Sequence, residues 1–179
     1  MDNEPNVTQE AVIDNQVDML EQYANAMLEK ESQTLRELVD IVAQATSISR
    51  SSTNGKISTN INLGAFELEA LVLRIPAECL RLQGLINMYS TRNTFKDLTI
   101  EGKVTQALAD LKGEKGTVEE RKKKAEMTCL DEKRLNQVNK MMIRGLQGYI
   151  DRADKVYEGV KKIMDTRGKE GYFDRKGPN

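Results

Sequence analysis

Apolar residues recur at spacings of three and four through the C-terminal third of the chain. Leu135, Val138, Met142, Leu146, Tyr149, Ala153, Val156, Val160 and Ile163 fall on one face of a helix, and no proline interrupts residues 117–167. Thr117 with Glu120 three positions later forms a capping box that starts this helix, and Gly168 after Arg167 stands where a C-cap is expected. Such a stripe needs a partner. The pattern therefore predicts one long helix over 117–167 that assembles with other copies through Leu135, Met142, Tyr149, Val156 and Ile163.

A second long pattern runs from Thr8, a candidate N-cap, to Ala45. Ile13, Val17, Leu20, Ala24 and Met27 make one seam, which Leu28, Leu35, Leu38, Val42 and Ala45 continue after a shift at Glu31 and Thr34. An oligomerising coil or an antiparallel hairpin partner for the C-terminal helix fits that length. The next stretch is rich in Ser, Thr and Asn around Gly55 and reads as a polar flexible linker that lets the acidic helix move apart from the rest.

From Ala65 to about Tyr89, Phe66, Leu68, Leu71, Val72, Leu73 and Ile75 put apolar residues on more than one face, which predicts the best-buried part of the fold. Pro76 lacks an N–H and predicts a kink or a fresh helix start. A third stretch, Phe95 to Lys112, is followed by a turn at Gly113-Glu114-Lys115-Gly116. Gly145, Gly148 and Gly159 inside the last helix are either surface glycines or points of close helix approach. The predicted organisation is an acidic helix over 1–46, a linker over 47–63, a helical body over 64–168 and a tail over 169–179.

Composition narrows the fold class. Of 179 residues, 39% are hydrophobic but only 4% aromatic, with no Trp and three Phe, so packing must come from Leu, Ile, Val and Met between helices. The expected fold is all-α, a helical hairpin or bundle with coiled-coil-like oligomerisation. Cys79 and Cys129 lack CxxC spacing and read as half-buried apolar residues. No apolar run reaches the roughly 20 residues that span a bilayer, and Met1-Asp2-Asn3-Glu4 is acidic rather than a basic leader. The expectation is a cytoplasmic protein without a membrane partner.

Charge is balanced in sum, −1, but uneven along the chain. Up to Thr46 acidic residues face only Lys30 and Arg36, whereas from Lys115 onward bases outnumber acids, with Arg121, Lys122, Lys123 and Lys124 consecutive. A solvated surface with attraction between the two arms is one reading, and a polyanion-binding face is the other. Catalytic chemistry finds little support. The chain has no histidine, no phosphate-loop, dinucleotide-binding or nucleophile-elbow motif and no metal-spaced cysteines, so no catalytic residue, metal or cofactor is expected. Nucleic-acid binding needs only ordered bases and, for a single strand, aromatic platforms. Tyr89 and Phe95 flank Arg92 and Lys96 around an expected turn.

Leu68-Glu69-Ala70-Leu71-Val72-Leu73-Arg74-Ile75-Pro76, followed by a helix through Leu82 and Tyr89, resembles the early helix of phage recombination mediators of the UvsY type. Leu130-Asp131-Glu132-Lys133, leading through Ile150 and Ile163 to Arg167, resembles that family's C-terminal assembly helix. The resemblance implies binding of single-stranded DNA, a ring-like homo-oligomer, and help in loading a RecA-type recombinase onto strand covered by single-strand-binding protein. If the protein is phage-encoded, its place is the host cytoplasm.

The chain departs from the pattern in lacking a tyrosine pair before the turn, where Asp110-Leu111-Lys112 stands, and in carrying the extra helix up to Ala45. The expected DNA contacts are Lys112, Lys115, Arg121, Lys122, Lys123 and Lys124. The alternative is a helical protein-binding module, a phage-type inhibitor or scaffold, that binds a protein partner and no DNA.

Overall fold

The structure, a computed structural model, describes residues 9–50, 57–113 and 115–175, with side chains described within 18–47, 60–113 and 115–169. The elements in order are α1 Gln9–Ala45, β1 Thr46–Arg50, β2 Ile57–Ile61, α2 Ala65–Asp110, a single 3₁₀ turn at Leu111–Gly113, α3 Val118–Met127 and α4 Leu130–Arg175. Apart from one hairpin the described residues form an all-α fold, as the helical periodicities predict. No described helix is long and apolar enough to cross a membrane. The expected N-cap at Thr8 and the seam residues Ile13 and Val17 lie outside the described residues or side chains.

The chain divides into two units. The first comprises the described parts of residues 1–30 and 85–145, and the second 31–84 with 146–179. In the first, Ala24 of α1 and Val138 and Met142 of α4 form a buried centre, flanked by Leu20, Met27, Leu28, Tyr89 and Met141. Gly145 lets Leu28 of α1 pack directly against the α4 backbone, since a Cβ there would lie 2.6 Å from both methyls of Leu28. A polar layer crosses the same unit: Asn136, 2% exposed, donates to Asp97 Oδ1, and Lys140 Nζ lies 3.7 Å from Asp97 Oδ2.

In the second unit Leu35, Leu38 and Val42 of α1, Leu68, Leu71, Ile75 and Leu82 of α2, and Leu146, Ala153 and Val160 of α4 are buried. Each fully buried aliphatic side chain contributes about 1.5–3 kcal/mol. Arg81 joins Glu78 on its own helix to Glu31 on α1, at 2.8 and 3.3 Å.

The stretch predicted as a flexible linker instead carries the hairpin, with Thr46 opposite Ile61 and Arg50 opposite Ile57. Its base is closed by Asn62 N–H donating to the Ala45 carbonyl at 2.8 Å, and Ile61 is 3% exposed. Arg167 of α4 donates to the carbonyls of Leu63, at 2.6 Å, and Ile61. Up to Ile61 the described residues of the predicted linker thus pair as strands, and α1 supplies buried residues to both units.

Three helix limits also differ. α2 runs unbroken through Pro76 and through residues 90–94, joining two predicted helices, since nothing between Tyr89 and Phe95 stops helical hydrogen bonding. The predicted helix over 117–167 is divided at Thr128. There the Thr128 hydroxyl donates to the Ala125 carbonyl at 2.6 Å, and the Cys129 amide turns back to Glu126. Beyond that break α4 continues past Gly168 to Arg175, so this glycine is no cap and the predicted tail is helical as far as it is described.

Candidate nucleic-acid interface

The α2–α3 connection is built by local hydrogen bonding. Gly116 takes φ +144°, a backbone region that side chains rarely adopt, and so reverses the chain just before Thr117. The Thr117 hydroxyl then accepts from the Glu120 amide at 3.2 Å while the Thr117 amide donates to Glu120 Oε2 at 2.8 Å. This is the predicted capping box, and it satisfies two amides that would otherwise lack partners at the start of α3. Ala125 and Cys129, 0% and 1% exposed, anchor the helix on the body.

With Arg121 and Ala125 turned inward, the 100° step of a helix puts Lys123 on the outermost line of α3, with Lys122 and Lys124 on its shoulders. All three are exposed, as are Lys112 and Lys115. Arg121 behaves otherwise. It is half-buried, its guanidinium donates to the Lys112 carbonyl at 3.3 Å, and its Nε is buried without a protein partner. Arg121 thus braces the turn, unlike the other five predicted DNA contacts, which are exposed. Lys124 has a contact of its own.

The field of this patch is modest. Between residues 112 and 127, six bases face four acids, Glu114, Glu119, Glu120 and Glu126. Two of the acids are already engaged: Glu120 in the cap, and Glu126 with Lys133 at 3.5 Å. Lys103 is paired with Glu132, whose carboxylate holds the lysine pKa above its ordinary value while the lysine holds the carboxylate below its own.

The expected cluster of aromatics and bases at 89–96 is split by the helix. Tyr89 turns into the core of the first unit, and Phe95 stays 67% exposed beside exposed Arg92. Phe95 is the one aromatic ring of this unit's α2 segment open to a base. Among the described residues no group of three or more potential metal ligands occurs.

The predicted assembly residues are placed differently from expectation. Met142 is 2% exposed in the first unit's core, and Tyr149, Val156 and Ile163 are half-buried, with the Arg36 guanidinium 5.9 Å over the Tyr149 ring. Only Leu135, at 46%, is classed as exposed. The α4 stripe is used inside its own chain, because periodicity reports that a face is covered and not by what.

Comparison with protein families, with characterised proteins and with solved structures returns no significant match. The functional reading therefore rests on these residues.

Proposed function

We propose that the protein is a non-enzymatic, cytoplasmic recombination mediator that holds single-stranded DNA on the α2–α3 turn and helps a recombinase displace single-strand-binding protein. One observation carries this reading. A capped and braced turn displays Lys112, Lys115, Lys122 and Lys123 to solvent on a fixed scaffold, an arrangement that fits a phosphate backbone and that the protomer's own packing does not require. Phe95 adds a stacking surface in the same unit. The resemblance to UvsY-type mediators in the α2 and α4 segments points the same way.

Each lysine contact to phosphate is weak and salt-sensitive, so several copies on one strand would raise the affinity by avidity. Homo-oligomerisation is therefore part of the proposal. The test is recombinase ATPase on oligonucleotide coated with single-strand-binding protein. The wild-type chain should shorten the lag, and K122Q/K123Q/K124Q should lengthen it again. An unchanged lag with wild-type protein would remove the mediator reading.

A second reading, a protein-binding module that holds no DNA, is favoured by the large apolar side chains exposed on α2, Phe66 and Leu73 among them. Those same side chains bear on assembly.

A further inference from the structure

Within the second unit, α2 turns two apolar faces in opposite directions. Leu68, Leu71, Ile75 and Leu82 are buried, while Phe66, Leu73 and Leu80 are 82%, 74% and 74% exposed. These three recur every seven residues, and Ala70, Ala77 and Gly84 recur every seven between them. Large and small residues thus alternate at steps of four and three, the seam of a coiled coil, over about 27 Å of helix at 1.5 Å per residue. In a chain that is 31% charged, this seam carries no charge.

We propose that this face docks on the same face of a second copy, antiparallel, about a two-fold axis that passes near Ile75. In that register Phe66 lies opposite Gly84, Leu73 opposite Ala77 and Leu80 opposite Ala70, and the symmetry repeats each pair. Every large side chain meets a small one, so the face is complementary to itself, and the small residues let the helices approach closely. The rims fit the same register. Glu67 comes within about two residues' rise of the second copy's Arg81 on both sides of the axis, and Arg74 meets its own copy at the solvent edge as the one like-charge pair.

The area is sufficient. The exposed parts of the three large side chains come to about 450 Å² per copy, and the flanking aliphatic stems bring the buried surface toward the roughly 800 Å² per partner of a stable interface. This surface is separate from the lysines of the α2–α3 turn and does not depend on the DNA reading.

The test needs no ligand: light scattering and analytical ultracentrifugation of the full chain from 1 to 100 µM, concentrations chosen around an expected Kd of about 1–10 µM. The wild-type chain should be dimeric at the upper end. L73D/L80D should weaken the dimer about a hundredfold with helical circular dichroism and Tm retained, since both positions face solvent in the protomer. L73A and A77L should each weaken it about tenfold, one by a hole and one by a clash, whereas the swap L73A/A77L should return it to within about threefold of wild type.

A monomer at 100 µM would overturn the proposal, as would a dimer indifferent to L73D/L80D. Loss of helicity in that variant would show the face to be internal and overturn it too. A swap no better than its single variants would overturn the register.

Discussion

Replacing Gly145 by alanine sets two effects of known sign against each other. In a helix interior alanine is favoured over glycine by about 1 kcal/mol. At residue 145, however, the new methyl would lie 2.6 Å from both Leu28 Cδ atoms and 3.2 Å from Cγ. Rotating the isopropyl group alone cannot clear it, because the methyl would sit between both branches. Leu28 must change χ1, or α1 and α4 must separate beside the core of Ala24, Val138 and Met142. Overpacking of this kind costs about 1–3 kcal/mol, so the expected net loss is about 1 kcal/mol.

Gly148 and Gly159 supply the controls, since nothing lies within 4 Å of a Cβ at either. Alanine there should stabilise by about 0.5–1 kcal/mol through helix propensity and reduced unfolded-state entropy. Urea unfolding monitored by circular dichroism measures all three. Adding L28A to G145A should remove the steric part, so that the double variant is more stable than the sum of the singles by about 2 kcal/mol. If G145A stabilised the protein as much as G148A does, the close approach of α1 and α4 would be refuted.

Three further outcomes follow from the same geometry. Thr117→Ala removes the side-chain half of the α3 capping box and should cost about 1 kcal/mol, seen as faster amide exchange at Glu120; unaltered exchange would contradict the cap. Burial, then the Asp154 carboxylate to which the thiol hydrogen-bonds, pushes the Cys79 pKa up from 9.0 to about 11. The folded state thus holds a proton that the unfolded chain releases, and stability relative to Cys79→Ala should fall as pH rises from 9.0 through about 11; a constant difference would refute that environment. Asn136→Asp places a second carboxylate against Asp97 and should cost about 2 kcal/mol or more at neutral pH, fading as acidification neutralises the pair. Equal loss at all pH values would point to packing alone.

The sequence is most informative where one local rule acts alone. Thr117 and Glu120 are readable as a cap because capping needs only two residues at fixed spacing. The α4 stripe is readable as a covered face, but what covers it depends on α1 and α2, and this is why Met142 reads as an assembly residue and proves to be core. Two apolar faces on α2 leave open which one the fold buries, so Phe66 and Leu73 read as part of the best-buried segment when they are 82% and 74% exposed.

The hairpin had a signal that the polar composition masked. Ile48 and Ile57, Thr59 and Ile61 alternate with polar residues on either side of Asn54-Gly55, a pair common in tight turns. The break at Thr128 has no glycine or proline to announce it. Arg121 turned inward because its long side chain reaches the Lys112 carbonyl, a contact that no charge count reveals.

The measurement that bears most directly on function is fluorescence anisotropy of a labelled single-stranded oligonucleotide titrated with the full chain between about 50 and 200 mM salt. About four phosphate contacts predict micromolar binding and a slope of about −3 in log affinity against log salt, which loss of Lys122 and Lys123 in K122Q/K123Q/K124Q should reduce to about −1.5. A flat titration at the lowest salt, or a slope that the triple variant leaves unchanged, would contradict DNA binding at the α2–α3 turn.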